Sequence, residues 1–293
     1  MKTHTRILPA FSLGTLLTLA FFPTLPAAPL VRPGETIAFM GDSITQQGAG
    51  NSTGYVNLVE SGLQANGIDV KVIGAGISGH KSNQMRDRLQ SDVLDKKPAW
   101  MTLSCGVNDV WHGAAGVPLD DYKKNITSIV DRCRDAGVKA VILTSTPIQE
   151  SDNENNQKLA GYNAFLKELA AERKLPLADL NAAIWAELNT PTQPRPPGNS
   201  LTADGTHMNP LGDEIMAIGV LKAFGLNATQ LAKAREAWLT RPTSINTSCQ
   251  LTLAEYKKLT AIAAEQKKTL DTLVNETVSA TLKNLAAAKP ATP

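Results

Sequence analysis

Several things are scarce in this chain, and each scarcity excludes something. Its 293 residues include 3 cysteines, an odd number without metal-ligand spacing, so neither a disulfide framework nor a cysteine-held metal carries the fold. Cys105 ends an apolar run and Cys133 lies on a helical pattern, where small thiols are commonly buried; these two and Cys249 are expected to be free. Charge of one sign is scarce too. The formal net charge is +2 and the basic residues are scattered, which removes the electrostatic footprint that nucleic acid requires. With 42% hydrophobic residues the chain has ample material for one core, and its length suits one domain plus an appendage.

The N-terminus reads as an address. Lys2 and Arg6 precede an apolar stretch from Ile7 to Phe22, followed by Pro23-Thr24-Leu25-Pro26-Ala27-Ala28, with small residues where a signal peptidase would cut. The alternative is a retained anchor, but Pro9, Gly14 and Pro23 interrupt a run already short for a span. Residues 1–28 are therefore expected to be a signal peptide, the mature chain to be secreted or periplasmic, and no membrane span to survive processing.

In the mature chain, strand and helix patterns alternate. Thr36 to Met40 reads as a buried strand, Gln46 to Gly54 as a polar glycine-rich loop, and Tyr55, Leu58, Val59 and Leu63 recur at helical spacing. Val70 to Ile73 is a second strand, Gly74 to Gly79 a tight glycine loop, and Met85 to Leu94 a helix. Trp100 to Cys105 is the third strand, Tyr122 to Ala136 the next helix, and Val138 to Thr144 a β-branched run suited to a sheet buried on both faces. Asn153 to Lys174 is helical and Leu175 to Asp179 a last short strand. Five strands alternating with helices predict a parallel sheet covered on both sides, with right-handed crossovers bringing every carboxyl end to one edge.

Thr190 to Ser200, rich in proline, reads as an exposed loop, and Leu211 to Phe224 as the helix that closes the core domain, expected over residues 29–225. Residues 226–293 read as a helical extension. In it Leu231 to Leu239 is a short helix, Arg241 to Gln250 a linker, and Thr252-Leu253-Ala254-Glu255 a capping box opening one long helix. The apolar side of that helix, through Leu259, Ile262, Leu270, Leu273, Val278, Leu282 and Leu285, suits packing on the domain and self-association about equally.

Chemistry collects at four separated places. Gly41-Asp42-Ser43 follows the first strand and would present the Ser43 hydroxyl at the sheet edge where α/β proteins form ligand crevices. A serine is a weak nucleophile until a base takes its proton, and Asp204-Gly205-Thr206-His207 offers a histidine with a carboxylate to orient it. Gly79 after the second strand and Asn108 after the third, with the Ser43 N–H, can supply the donors that a tetrahedral oxyanion needs. Rival readings stay open at each position. Ser43 can cap a helix, Gly74 or Gly76 can replace Gly79 as donor, Asn108 can be a turn former and Asp204 an N-cap. Asp42 and Asp109 read as loop-structuring residues, His80 and His112 as structural or substrate-contacting ones, and Cys105 lacks a histidine at motif spacing.

Gly-Asp-Ser-Ile, the Gly79 loop, Gly106-Val107-Asn108-Asp109 and Asp204-Gly205-Thr206-His207 together resemble the four blocks of the SGNH, or GDSL, hydrolase family, over about Thr36 to Phe224. The resemblance implies a flavodoxin-like three-layer α/β/α sandwich, Ser43 as nucleophile, His207 as base, Asp204 as its orienter, and an oxyanion hole of Ser43, Gly79 and Asn108. It implies no metal and no cofactor. The activity it implies is ester hydrolysis. The loops at 46–54, 111–117 and 151–156 are polar and only 5% of the chain is aromatic, which leans toward short acyl groups on a hydrophilic alcohol such as an acetylated sugar. A lysophospholipase or thioesterase and a non-catalytic glycan-binding protein on the same scaffold are the alternatives.

Overall fold

The computed structural model describes residues 28–191, 198–243 and 251–288. The expected signal peptide, apart from Ala28, lies outside the described residues, as do the middle of the proline-rich loop, the end of the linker with Cys249, and the last residues. The chain gathers into two compact units, one through Thr243 and one from Ser244 onward.

In chain order the first unit runs β1 (Thr36–Gly41), α1 (Ser43–Gly50), α2 (Tyr55–Ala65), β2 (Lys71–Gly76), α3 (Ser82–Asp92), β3 (Trp100–Ser104), α4 (Val107–Trp111), α5 (Leu119–Asp135) and β4 (Lys139–Leu143). It continues with α6 (Glu154–Arg173), β5 (Leu177–Ala178), α7 (Leu180–Asn189), α8 (Pro210–Ala223) and α9 (Ala228–Trp238). The strands form one parallel sheet in the order β2-β1-β3-β4-β5, the flavodoxin-like arrangement expected from sequence. The chain leaves β1 first toward β2 and then returns to its other side as β3. Their carboxyl ends therefore flank a topological switch point, where an open α/β sheet leaves a crevice.

β1 is an interior strand, between β2 and β3, and nothing polar interrupts it: Ile37, Ala38, Phe39 and Met40 are wholly buried, each large side chain stabilising the fold by roughly 1.5–3 kcal/mol. β3 and β4 are buried too, and Met101, Val141, Ile142 and Leu143 show no exposure, although β3 also buries Thr102 and Ser104. α8 and α9 both pack on α2. Trp238 of α9 is buried and donates its indole N–H to the Leu58 carbonyl (3.0 Å), while the Asn66 amide bonds the Gln230 carbonyl (3.0 Å). The boundary expected at residue 225 thus falls between two helices that share a partner.

Two readings of local structure are corrected and two helices are added. The polar stretch after Ser43 is helical through Gly50 rather than a loop from Gln46, because Asp42 caps it and its buried face, Ile44, Thr45 and Gly48, packs inward. Gly74, Ala75 and Gly76 belong to β2, in register with Phe39, Met40 and Gly41, not to a turn. Glycine is required at Gly76 by close approach, since a Cβ there would run into the backbone of Gln46. α4 and α7 are helices that the pattern did not announce; α7 starts on Asp179, whose carboxylate accepts from the Ala182 N–H (3.3 Å).

The second unit is a pair of helices, α10 (Leu253–Glu265) and α11 (Leu270–Ala287), rather than one long helix. The Thr252–Glu255 capping box opens the first as expected. Lys267, at φ 54°, breaks the run, and the Thr269 hydroxyl starts a new helix by accepting from the Thr272 N–H (3.1 Å). Leu253, Tyr256, Ile262, Leu282 and Leu285 are exposed. No helix among the described residues is long and apolar enough to cross a membrane.

Candidate active site

Ser43 is the first residue of α1, delivered by the carboxyl end of β1. The preceding Asp42 is the N-cap, its Oδ1 accepting from the Ile44 N–H (2.9 Å). Burial pushes the Asp42 carboxyl up to about 6 against that bond, helped by the charge of Asp109. Since Asp42 fills the capping role, the Ser43 hydroxyl is left to face His207, with Oγ and Nε2 2.9 Å apart.

His207 Nδ1 lies 2.6 Å from Asp204 Oδ2, and Asp204 Oδ1 accepts from the N–H groups of Thr206 (3.0 Å) and His207 (2.8 Å). Partial burial pulls the Asp204 carboxyl up, but the bonds from the His207 ring and these N–H groups outweigh it and hold the group below its ordinary value. An ionised carboxylate only accepts hydrogen bonds, so Nδ1 must carry the proton and Nε2 must accept from Ser43. Asp204 therefore caps its own tight turn while orienting the ring.

The turn sits in a hairpin stitched by the Thr202–Met208 bridge and by the Ala203 N–H donating to the His207 carbonyl (2.8 Å). Glu150, in the loop after β4, gathers this hairpin. Its carboxylate accepts from the N–H groups of Ser200 (2.6 Å), Leu201 (2.7 Å) and Thr202 (2.7 Å) and from the Thr202 hydroxyl (2.7 Å). Burial raises the Glu150 carboxyl, and these four donors more than reverse that. Sequence reasoning missed Glu150. Its one signal was position, since the β4 loop leaves the same edge of the sheet as Ser43.

Gly79 lies in the loop between β2 and α3 at φ 76°, a conformation costly for any residue with a Cβ. Neither its N–H nor that of Ser43, at a helix start without an intrahelical acceptor, is bonded within the described residues. The Asn108 amide, from α4, donates to the His80 carbonyl (3.2 Å). Gly74 and Gly76, the rival donors, are held inside β2. Asp109 points away from this chemistry. Wholly buried, it accepts from the Ser82 N–H (3.0 Å) and hydroxyl (2.5 Å), and Asn125 donates in turn to Ser82 Oγ (3.1 Å). Cys105 is buried beside Asp109, and burial followed by that carboxylate pushes its thiol well up, which leaves no thiolate for attack. Cys105 and Cys133 are free and buried.

A doubly wound sheet with a serine at its switch point, joined by hydrogen bonds to a histidine and a carboxylate, is an arrangement suited to carboxylic ester hydrolysis, and the proteins this chain is similar to include named esterases. The chain belongs to the GDSL-like lipase/acylhydrolase family, whose family model matches residues 39–215. It is 31% identical over 214 residues to an acetylxylan esterase of Geobacillus stearothermophilus, covering 66% of this chain and 94% of that one. It is 30% identical over 144 residues to the esterase TesA of Pseudomonas aeruginosa, covering 49% of this chain and 69% of the relative. A crystal structure of an acetylxylan esterase from Geobacillus stearothermophilus superposes with a TM-score of 0.60 at 26% identity, covering 67% of this chain and 97% of that chain. The protein is thus a carboxylic ester hydrolase, which sets aside the non-catalytic glycan-binding alternative and bears out the resemblance seen in the four sequence blocks.

Proposed function

We propose that the protein is an exported serine esterase that removes short acyl groups, acetyl above all, from carbohydrates by an acyl-enzyme mechanism. The observation that carries the mechanism is the chain of contacts from Ser43 Oγ to His207 Nε2 (2.9 Å) and from His207 Nδ1 to Asp204 (2.6 Å). His207 takes the Ser43 proton as Oγ attacks the acyl carbonyl. The oxyanion forms against the N–H groups of Ser43 and Gly79 and the Asn108 amide, and its collapse expels the alcohol, which receives the proton from His207. Water repeats the sequence on the acyl-enzyme, giving its proton to His207 and releasing the acid and the free serine.

The polar loops around the site and the acetylxylan esterase relative support an acetylated sugar over a long-chain lipid. The N-terminal charge-then-apolar pattern over residues 1–28 supports export. The hydrolase domain accounts for the chain that follows, and the helices after Thr243 form the appendage. Their exposed apolar residues, among them Tyr256, Ile262 and Leu282, support self-association through a second copy. Sedimentation of the mature chain beside one ending at Thr243 checks that last point, and the same number of chains per particle in both would remove it. For the mechanism, a serine-directed phosphonate followed by intact-mass measurement and peptide mapping is expected to give one adduct, on Ser43. Acetate release from acetylated xylo-oligosaccharides is expected to exceed turnover of long-chain esters; the reverse preference would favour the lysophospholipase or thioesterase alternative.

A further inference from the structure

Arg88 is unusual among the described arginines in what it touches. Its side chain is 10% exposed, it lies on α3, and its guanidinium reaches four partners. Nη2 donates to the Gly41 carbonyl (2.8 Å), two residues before Ser43; Nη1 donates to the Ala75 carbonyl (2.9 Å) near the end of β2 and to Asp92 (2.8 Å). Nε donates to Nδ1 of His80 (3.1 Å), the residue after Gly79. The His80 carbonyl, in turn, accepts one N–H of the Asn108 amide (3.2 Å). An arginine that only stabilised α3 would need Asp92 alone.

Resting on the catalytic reading above, we propose that Arg88 and His80 are positioning residues for the oxyanion hole, fixing the Gly79 peptide and the plane of the Asn108 amide relative to Ser43. A primary amide is planar, so spending one N–H on the His80 carbonyl fixes the direction of the other. The Gly79 N–H belongs to the same short loop, whose start is tied by the Ile77 N–H to the Gly41 carbonyl (3.1 Å) and by the Ser78 N–H to Gln46 Oε1 (2.9 Å). The guanidinium is therefore a rivet between the strand that delivers the nucleophile and the loop that delivers the donors. Its planar fork addresses several directions at once, which a lysine ammonium on a flexible stem does not. His80 can accept from Arg88 only with Nδ1 unprotonated, and burial together with the Arg88 charge lowers its pKa, consistent with that state. Donors fixed in advance spend no reorganisation as charge develops, and a misplacement of about 1 Å costs on the order of 100-fold.

The test uses the mature chain with p-nitrophenyl acetate as probe and four variants: Arg88→Ala, Arg88→Lys, His80→Leu and His80→Asn. Arg88→Ala is expected to lower kcat by about 30- to 100-fold with KM changed by less than about threefold, the mark of an interaction made in the transition state. Added guanidinium ion is expected to recover about tenfold of that loss, and Arg88→Lys to recover little. His80→Leu, which has no acceptor, should match Arg88→Ala. His80→Asn, whose Oδ1 stands near the place of Nδ1, should stay within about fivefold of the parent. Wild-type kcat in folded Arg88→Ala would overturn the proposal, and so would equal losses in His80→Leu and His80→Asn. If Arg88→Ala does not fold, the His80 pair decides alone. Phosphonate labelling of Ser43 and loss of kcat in Asn108→Ala test the underlying reading separately. Should those hold while the Arg88 and His80 variants are silent, only the positioning role falls.

Discussion

The Ser43 half of the candidate site, proposed to carry the nucleophile, and the His207 half, proposed to carry the base, hold their carboxylates under opposite conditions. On the nucleophile side Asp42, Asp109 and Asp213 are 2%, 0% and 6% exposed, and burial raises all three, Asp42 to about 6 and Asp213 to about 7. Each acts as a backbone clamp: Asp42 caps α1, Asp109 holds Ser82 at the start of α3, and Asp213 accepts from the Tyr55 N–H at the start of α2 (2.9 Å). On the base side the Asp204 side chain is 56% exposed, and Asp204 and Glu150 collect enough donors to lie below their ordinary values. One half is a buried corner that tolerates charge poorly, and the other is a surface hairpin that depends on charge.

Replacing the proposed nucleophile should break the site most completely. Ser43→Ala is expected to lower kcat/KM by on the order of 10⁴- to 10⁶-fold while urea unfolding stays at the parent midpoint, because the Asp42 cap does not involve the hydroxyl. Retained turnover would dismiss the mechanism. Removing charge from the base side should cost less: Asp204→Asn is expected to lower kcat about 100-fold, since the ring loses its orienting carboxylate but keeps its neighbours. Glu150→Gln is a milder probe of the same half. The amide keeps one acceptor but sets an N–H against the donors of the hairpin, so kcat should fall about tenfold and stability by roughly 1–3 kcal/mol. A Glu150→Gln protein with parent kcat would mean that the hairpin holds itself.

The smallest effect is the one that separates the halves. Asp213 binds its proton more tightly in the folded chain than in the unfolded one, so its contribution is fully present below about pH 4 and declines as pH rises toward about 7. Asp213→Asn should flatten that decline in urea midpoints measured from pH 4 to 8. Asp204 and Glu150 have lowered values, so their stabilisation is present at neutral pH and lost as pH falls through those values. Hydrogen exchange measured as the pH is taken below about 4 should therefore rise first in residues 200–209 and last in α1 and α3. A uniform rise would erase the contrast.

Much of this was legible in the sequence because its carriers are local. The apolar run of β1, the β-branched run of β4 and the spacing of α5 and α8 each state their own structure, and Ser43, Asp204 and His207 sit in short blocks whose order suits one sheet edge. What escaped is tertiary. Nothing near Glu150 announces that a hairpin fifty residues on will donate to it, and nothing near Arg88 announces the Gly41 and Ala75 carbonyls. The second half of α1 was read as a loop because a polar, glycine-containing run has weak helix propensity, for which the Asp42 cap and packing against β2 and α2 compensate. The two-helix C-terminal unit was read as one helix because an apolar stripe continues in phase across Lys267.

Ser43 and His207 are separated by 164 positions in the chain, and that separation sets an order of events. During synthesis the serine, the Gly79 loop and Asn108 emerge long before any base can reach them. An unfinished chain therefore carries an inert hydroxyl. On the catalytic reading proposed above, a chain that stops short of residue 207 holds Ser43 without its base, so the site exists only where the fold brings the end of β1 and the segment before α8 together.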